Sequence, residues 1–240
     1  MIKLFKYISI SIVTFYLIYS SNIFADKILK YDLKKQESLH DNSVLFFMHG
    51  WGSSKKKWYK EIISEFGDDF TIVILQAPYR MGWFSGKFSW YDWQIVDGDT
   101  TFNQEQINFS SQSVLQTIDH IIRKQNLDIK NVFIGGQSQG AVIACKLASE
   151  HPESMRGFFV HNGRLPVVFN PVNSDSFSKL HGLIINGKYD KVLPPKYAKS
   201  IVNKFKILGV NVDSISPEIG HGMPKESWRI IQEWINSIIR

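Results

Sequence analysis

The chain alternates two kinds of apolar pattern. The first is a set of short runs with almost no polar interruption. These are Val44-Leu45-Phe46-Phe47-Met48, Thr71-Ile72-Val73-Ile74-Leu75, Asn131-Val132-Phe133-Ile134, Gly157-Phe158-Phe159-Val160 and Gly182-Leu183-Ile184-Ile185, with a weaker run over Val210–Ile215. A strand that is apolar at every position is covered on both faces, as in a parallel sheet. The second pattern is amphipathic and helical, over 54–66, 105–126, 139–150, 194–207 and 224–239. In the second of these stretches Ile107, Val114, Ile118, Ile121 and Ile122 return to one helical face. Strand and helix in alternation predict an α/β fold with a mostly parallel central sheet and helices on both faces.

One stretch breaks the rhythm. Residues 76–104 are too long for an ordinary connection, and Tyr79, Trp83, Phe84, Phe88, Trp90, Tyr91 and Trp93 crowd into its middle. Long loops in compact domains tend to carry function. The chain has no internal repeat and no linker rich in Pro, Gly or Ser, so 26–240 reads as a single domain with 76–104 as an insertion.

Composition narrows the class. Hydrophobic residues make up 44% of the 240 positions and charged residues 21%, which excludes a disordered chain and a polytopic membrane protein. A single cysteine, Cys145, excludes an intrachain disulfide and reads as a core side chain. The formal net charge is +6, but the basic residues are scattered and their longest run is Lys55-Lys56-Lys57. That is a solvated face, not a nucleic-acid patch.

Residues 1–25 differ from the rest. Lys3 and Lys6 precede the apolar stretch Ile8–Tyr19, no acidic residue occurs before Asp26, and Ile23-Phe24-Ala25 supplies a small-residue cleavage site. This is the layout of a secretory signal peptide cut after Ala25, and it predicts a secreted or periplasmic protein. Left uncut, it would be a short anchor, and the expected contact with a membrane is through this segment alone.

The chemistry centres on Gly136-Gln137-Ser138-Gln139-Gly140, a G-x-S-x-G pattern between an apolar strand and the helical run Ala141–Glu150. Strand, pattern and helix in that order form a nucleophile elbow, a sharp turn that exposes the serine at the edge of an α/β-hydrolase sheet. A serine hydroxyl needs a base, and the base a carboxylate to orient it, in the chain order Ser, Asp or Glu, His. His221, between Gly220 and Gly222 after the last strand-like run, is the expected base, with His161 at a strand end as its competitor. Asp190, just past the run Gly182–Ile185, is the expected acid, with Asp175 and Asp213 as alternatives. His49-Gly50-Trp51-Gly52 ends the first apolar run, so the backbone amides of Trp51 and Gln139 are the expected oxyanion donors. In the aromatic insertion, Trp83 and Phe84, flanked by Gly82 and Gly86, are the expected substrate contacts, while Trp90 and Trp93 read as structural.

Together these segments resemble the phospholipase/carboxylesterase group of α/β-hydrolases, which includes acyl-protein thioesterases. The resemblance runs through His49-Gly50-x-Gly52, Ala77-Pro78, Ser89-Trp90-Tyr91-Asp92, Gly136–Ala141, Asn186-Gly187-x-x-Asp190-x-x-Leu193-Pro194 and Gly220-His221-Gly222. It implies a Ser138, Asp190 and His221 triad and a serine hydrolase acting on carboxylic esters or thioesters. The chain departs from the family pattern in its export signal and its heavy aromatic loop. The expected substrate is a small-molecule or lipid-like ester, and no metal or organic cofactor is called for. The alternatives are a peptidase or amidase on the same fold, or a catalytically silent module that grips lipid or glycan.

Overall fold

The computed structural model describes residues 28–36, 43–67, 70–97, 99–127 and 131–239. Residues 1–25, read above as a signal peptide, lie outside the described residues. Seven strands form one sheet in the order β1 (Tyr31–Lys34), β3 (Thr71–Leu75), β2 (Val44–Met48), β8 (Val132–Gln137), β9 (Gly157–His161), β10 (His181–Ile185) and β11 (Asn211–Ile215). Only β1 runs antiparallel to its neighbour, with Tyr31 opposite Leu75 and Lys34 opposite Ile72.

The uninterrupted apolar strands bury both faces, and their residues sort by parity. Val44, Phe46 and Met48 of β2 join one core, and Leu45 and Phe47 join the other. The first core is closed by α2 (Gln104–Gln125), α3 (Gln139–Glu150) and α4 (Lys196–Ile207). The predicted stripe of α2 is the buried one: Ile107, Val114, Ile118 and Ile121 are all inside. Asn103 caps that helix, its side chain accepting from the N–H of Gln106. Cys145 is fully buried in α3, where burial pushes its thiol up, away from reactivity.

The second core lies between the sheet and α1 (Lys55–Phe66) with α5 (Lys225–Ile239). Trp228 is its hub. Its ring meets Phe47, Trp58, Phe66 and Phe159 edge-on, with centroids 5.0–6.4 Å apart.

Residues 76–104 are structured where the sequence predicts a loop. They form two small antiparallel hairpins: β4 (Tyr79–Arg80) with β5 (Phe88–Ser89), and β6 (Trp93–Val96) with β7 (Asp99–Phe102). Strand β1 was not foreseen either. Its sequence, Tyr-Asp-Leu-Lys, is half charged and carries no continuous apolar run.

Truncating Trp228 to Ala removes a fully buried ring from the centre of one core. We predict a loss of about 3–5 kcal/mol, read as a lower urea midpoint at an unchanged slope. A loss under about 1 kcal/mol would show that this core repacks around the gap.

Candidate active site

Strand β8, the middle strand of the sheet, delivers Ser138 at its C-terminal end. The residue sits at φ 54° and ψ −113°, a region a side chain occupies only at a cost of about 1–3 kcal/mol. Its N–H donates to the carbonyl of His161 at 3.0 Å, and its own carbonyl accepts from Ala141. Two glycines make the turn sterically feasible. A Cβ on Gly136 would lie 2.4 Å from the carbonyl carbon of Gly140, and one on Gly140 would lie 2.1 Å from the carbonyl oxygen of Met48.

Three side chains from separate loops converge here. Ser138 Oγ lies 3.0 Å from His221 Nε2, and His221 Nδ1 lies 2.8 Å from Asp190 Oδ2. The other Asp190 oxygen accepts from the N–H groups of Val192 and Leu193, both at 2.8 Å, so the buried carboxylate is held from two sides. The alternatives stand elsewhere. Asp175 opens a short exposed helical turn, and Asp213 is exposed on β11. His161 bonds through Nε2 to Ser227 Oγ at 2.9 Å.

The loop holding His221 is tied to the loop holding Asp190 through Asn162. This residue is fully buried and, at φ 48°, left-handed. Its amide nitrogen donates to the carbonyls of Gly220 and Gly222, on either side of His221. Its amide oxygen accepts from the N–H of Gly187, three residues before Asp190. This clamp has no sequence signature, because an isolated Asn after a strand belongs to no pattern.

The amides of Trp51 and Gln139 face no acceptor among the described residues. That of Gln139 is an orphan of the first turn of α3. That of Trp51 shares a rigid peptide plane with the carbonyl of Gly50, which His49 Nδ1 holds at 2.8 Å. The tautomer follows from the other ring nitrogen. His49 Nε2 faces the side-chain amide of Gln76 and the N–H of Ala77, both donors, so the proton sits on Nδ1. Gln139 has a second use. Its side chain accepts from Ser89 Oγ and Trp90 N–H and donates to the carbonyl of Tyr91, pinning the aromatic segment to the elbow.

A cavity of about 420 Å³ opens over Ser138 and His221. Its walls are largely apolar: Trp51, Tyr91, Trp93, Phe102, Val142, Val192 and Leu193, with Arg164 and Tyr197 beside them. The expected contacts Trp83 and Phe84 are not among them. They lie 87% and 99% exposed between β4 and β5, on a tip pointing into solvent. Trp93, expected to be structural, lines the cavity and meets the ring of Trp51 at 6.0 Å. Trp90 is structural as expected, buried with its indole N–H on the carbonyl of His49.

Comparison with known proteins gives the family and the fold. A model of the phospholipase/carboxylesterase family matches residues 34–239. An acyl-protein thioesterase 1 homologue of Dictyostelium discoideum is 24% identical over 220 residues, covering 88% of this chain and 97% of its own. Mouse lysophospholipase-like protein 1 is 26% identical over 211 residues, covering 81% and 86%. Among solved structures, the Bacillus cereus carboxylesterase superposes with a TM-score of 0.75 at 16% identity, over 92% of this chain and 98% of that one. A Mesorhizobium loti carboxylesterase superposes with a TM-score of 0.74 at 20% identity, over 88% and 99%.

Burial lowers the pKa of His49 to about 4 and that of His161 to about 3. Unfolded, each would titrate near 6.5, so below that pH the unfolded chain binds protons that the fold refuses. We predict that stability falls as pH drops from 6.5 towards 4, by up to about 1.4 kcal/mol per pH unit for each histidine. Urea unfolding of His161→Leu and His49→Gln across pH 4–7.5 should show a shallower fall than the parent. Parallel curves for all three proteins would refute the assignment.

Proposed function

The chain belongs to the phospholipase/carboxylesterase family of α/β-hydrolases, and on that premise we propose that this esterase-type hydrolase is exported and works through an acyl-enzyme on Ser138. The observation that carries the reading is the continuous hydrogen-bonded path Ser138–His221–Asp190, at 3.0 and 2.8 Å. Ser138 Oγ attacks the carbonyl carbon of an ester or thioester while its proton passes to His221 Nε2. Asp190 keeps the other imidazole proton on Nδ1 and stabilises the imidazolium that forms. The oxyanion develops against the Trp51 and Gln139 amides, one such donor being worth about 3 kcal/mol in the transition state. His221 then protonates the departing alcohol or thiol. Water, deprotonated by the same nitrogen, releases the acid and restores the serine.

The substrate we infer is a small-molecule or lipid-like ester, in keeping with the apolar walls of the cavity. Thioesters and lysophospholipids fall within this class, by analogy with the names of the two relatives. Export rests on the segment 1–25 read above.

Ser138→Ala should retain the fold and lose about 10⁴-fold or more in kcat on an aryl ester, together with all labelling by a fluorophosphonate. Asp190→Asn should cost about 10⁴-fold, because the imidazole can then settle in the wrong tautomer. Substantial activity or labelling in Ser138→Ala would refute the mechanism. Export predicts a mature N-terminus at Asp26, checked by intact mass on protein from the native envelope; a full-length mass there would speak for a retained anchor.

A further inference from the structure

Arg164 is placed oddly for a structural residue. It follows β9 by three positions and stands in the wall of the cavity above Ser138. Its guanidinium carbon lies 4.6 Å from the ring centroid of Phe102 and 5.3 Å from that of Tyr197. Phe102 ends the hairpin β6–β7 and Tyr197 lies in the first turn of α4, so two separate segments flank the group.

What it lacks is an anion. Among the described residues no carboxylate lies within ion-pairing distance of Arg164, and its recorded hydrogen bond is the one from Nε to the carbonyl of Leu165 at 3.3 Å. The two terminal NH₂ groups thus have no acceptor among the described residues. Ring faces steady a guanidinium without neutralising it, and a half-buried charge with no counter-ion is costly. Of the residues lining the cavity, Arg164 alone carries a permanent charge. The rest of the wall is largely apolar, so an anion entering there would meet a single charged fork of donors in a setting that strengthens the contact.

We propose that Arg164 is the specificity-determining residue of the cavity, binding a carboxylate or phosphate on the ester, so that the preferred substrates are esters bearing an anionic group. The proposal rests on the hydrolase reading above. A planar guanidinium held by stacking presents two parallel N–H donors, which matches the oxygens of either anion. The aromatic and aliphatic walls would take the carbon chain between that anion and the scissile bond.

Two matched ester pairs test it. In one the charge is on the acyl side: the 4-nitrophenyl monoester of glutarate against its methyl diester. In the other it is on the alcohol side: 3-acetoxybenzoate against its methyl ester. The parent should favour the anionic member of at least one pair by roughly 10- to 100-fold in kcat/KM, and the pair that responds identifies the side of the ester that carries the charge. Arg164→Gln should abolish that preference by lowering kcat/KM far more on the anionic members than on the neutral ones, and Arg164→Lys should keep part of it. Equal or reversed preference in both pairs overturns the proposal, as does an equal loss on charged and neutral esters in Arg164→Gln. Ser138-dependent hydrolysis of the neutral members keeps the hydrolase reading standing in either case. If no ester is turned over, that reading fails by itself, and free glutarate then decides the anion site. It should raise the Tm of the parent and not of Arg164→Gln, and no shift in the parent overturns the proposal.

Discussion

The arrangement at the C-terminal ends of the central strands depends on how closely α3 can approach β2 and β8. Gly140 sits so near the carbonyl oxygen of Met48, and Gly136 so near Gly140, that no side chain fits at either position. That contact lets the chain reverse within one residue and holds Ser138 in a backbone conformation it would otherwise leave. The same closeness brings the free amide of Gln139 and the turn at Gly50-Trp51 to one side of the serine. A wider spacing would relieve the serine and separate the donors at once.

The histidine and aspartate reach the serine from the opposite side, and their loops are held by polar contacts rather than packing. Gly187 lies against the carbonyls of Ile219 and Gly220, where a Cβ would come within 2.4 Å of each. Lys188 and Tyr189 donate backbone hydrogen bonds to Pro217 and Ile219, and Asn162 joins the pair from beneath. Because the amide of Asn162 is buried and its partners belong to both loops, displacing one loop would leave polar groups unpaired in a dry site. That penalty makes the two loops move, or stay, as one.

How much of this could be read from the chain follows from what each residue type announces. Strands β2, β3, β8, β9 and β10 are apolar at nearly every position because both faces are covered, and they recur between amphipathic helical stretches. The elbow and the residues around it are legible because glycines at fixed offsets leave a pattern. Strand β1 leaves none, since an edge strand half exposed to water can carry charge. The aromatic insertion shows its density but not its folding. Trp83 and Phe84 fall on the tip between β4 and β5 and end in solvent, while Trp93 and Phe102, opposite each other on β6 and β7, line the cavity. Arg164 and Asn162 are single polar residues beyond a strand, and only the segments that meet them in space give them a role.

The hairpin β6–β7 is closed at its base by Asn103 donating to the carbonyl of Asp92, and by Gln106 bonding the Asp92 carboxylate. None of Ser138, Asp190 and His221 belongs to it, yet Trp93, Thr100 and Phe102 form one side of the cavity. A wall attached in this way is a separable part. Its length and side chains can be exchanged between proteins as a cassette, altering what enters while the reacting groups keep their positions. In this scaffold one side of the cavity is thus carried by a stretch of chain separate from the reacting groups.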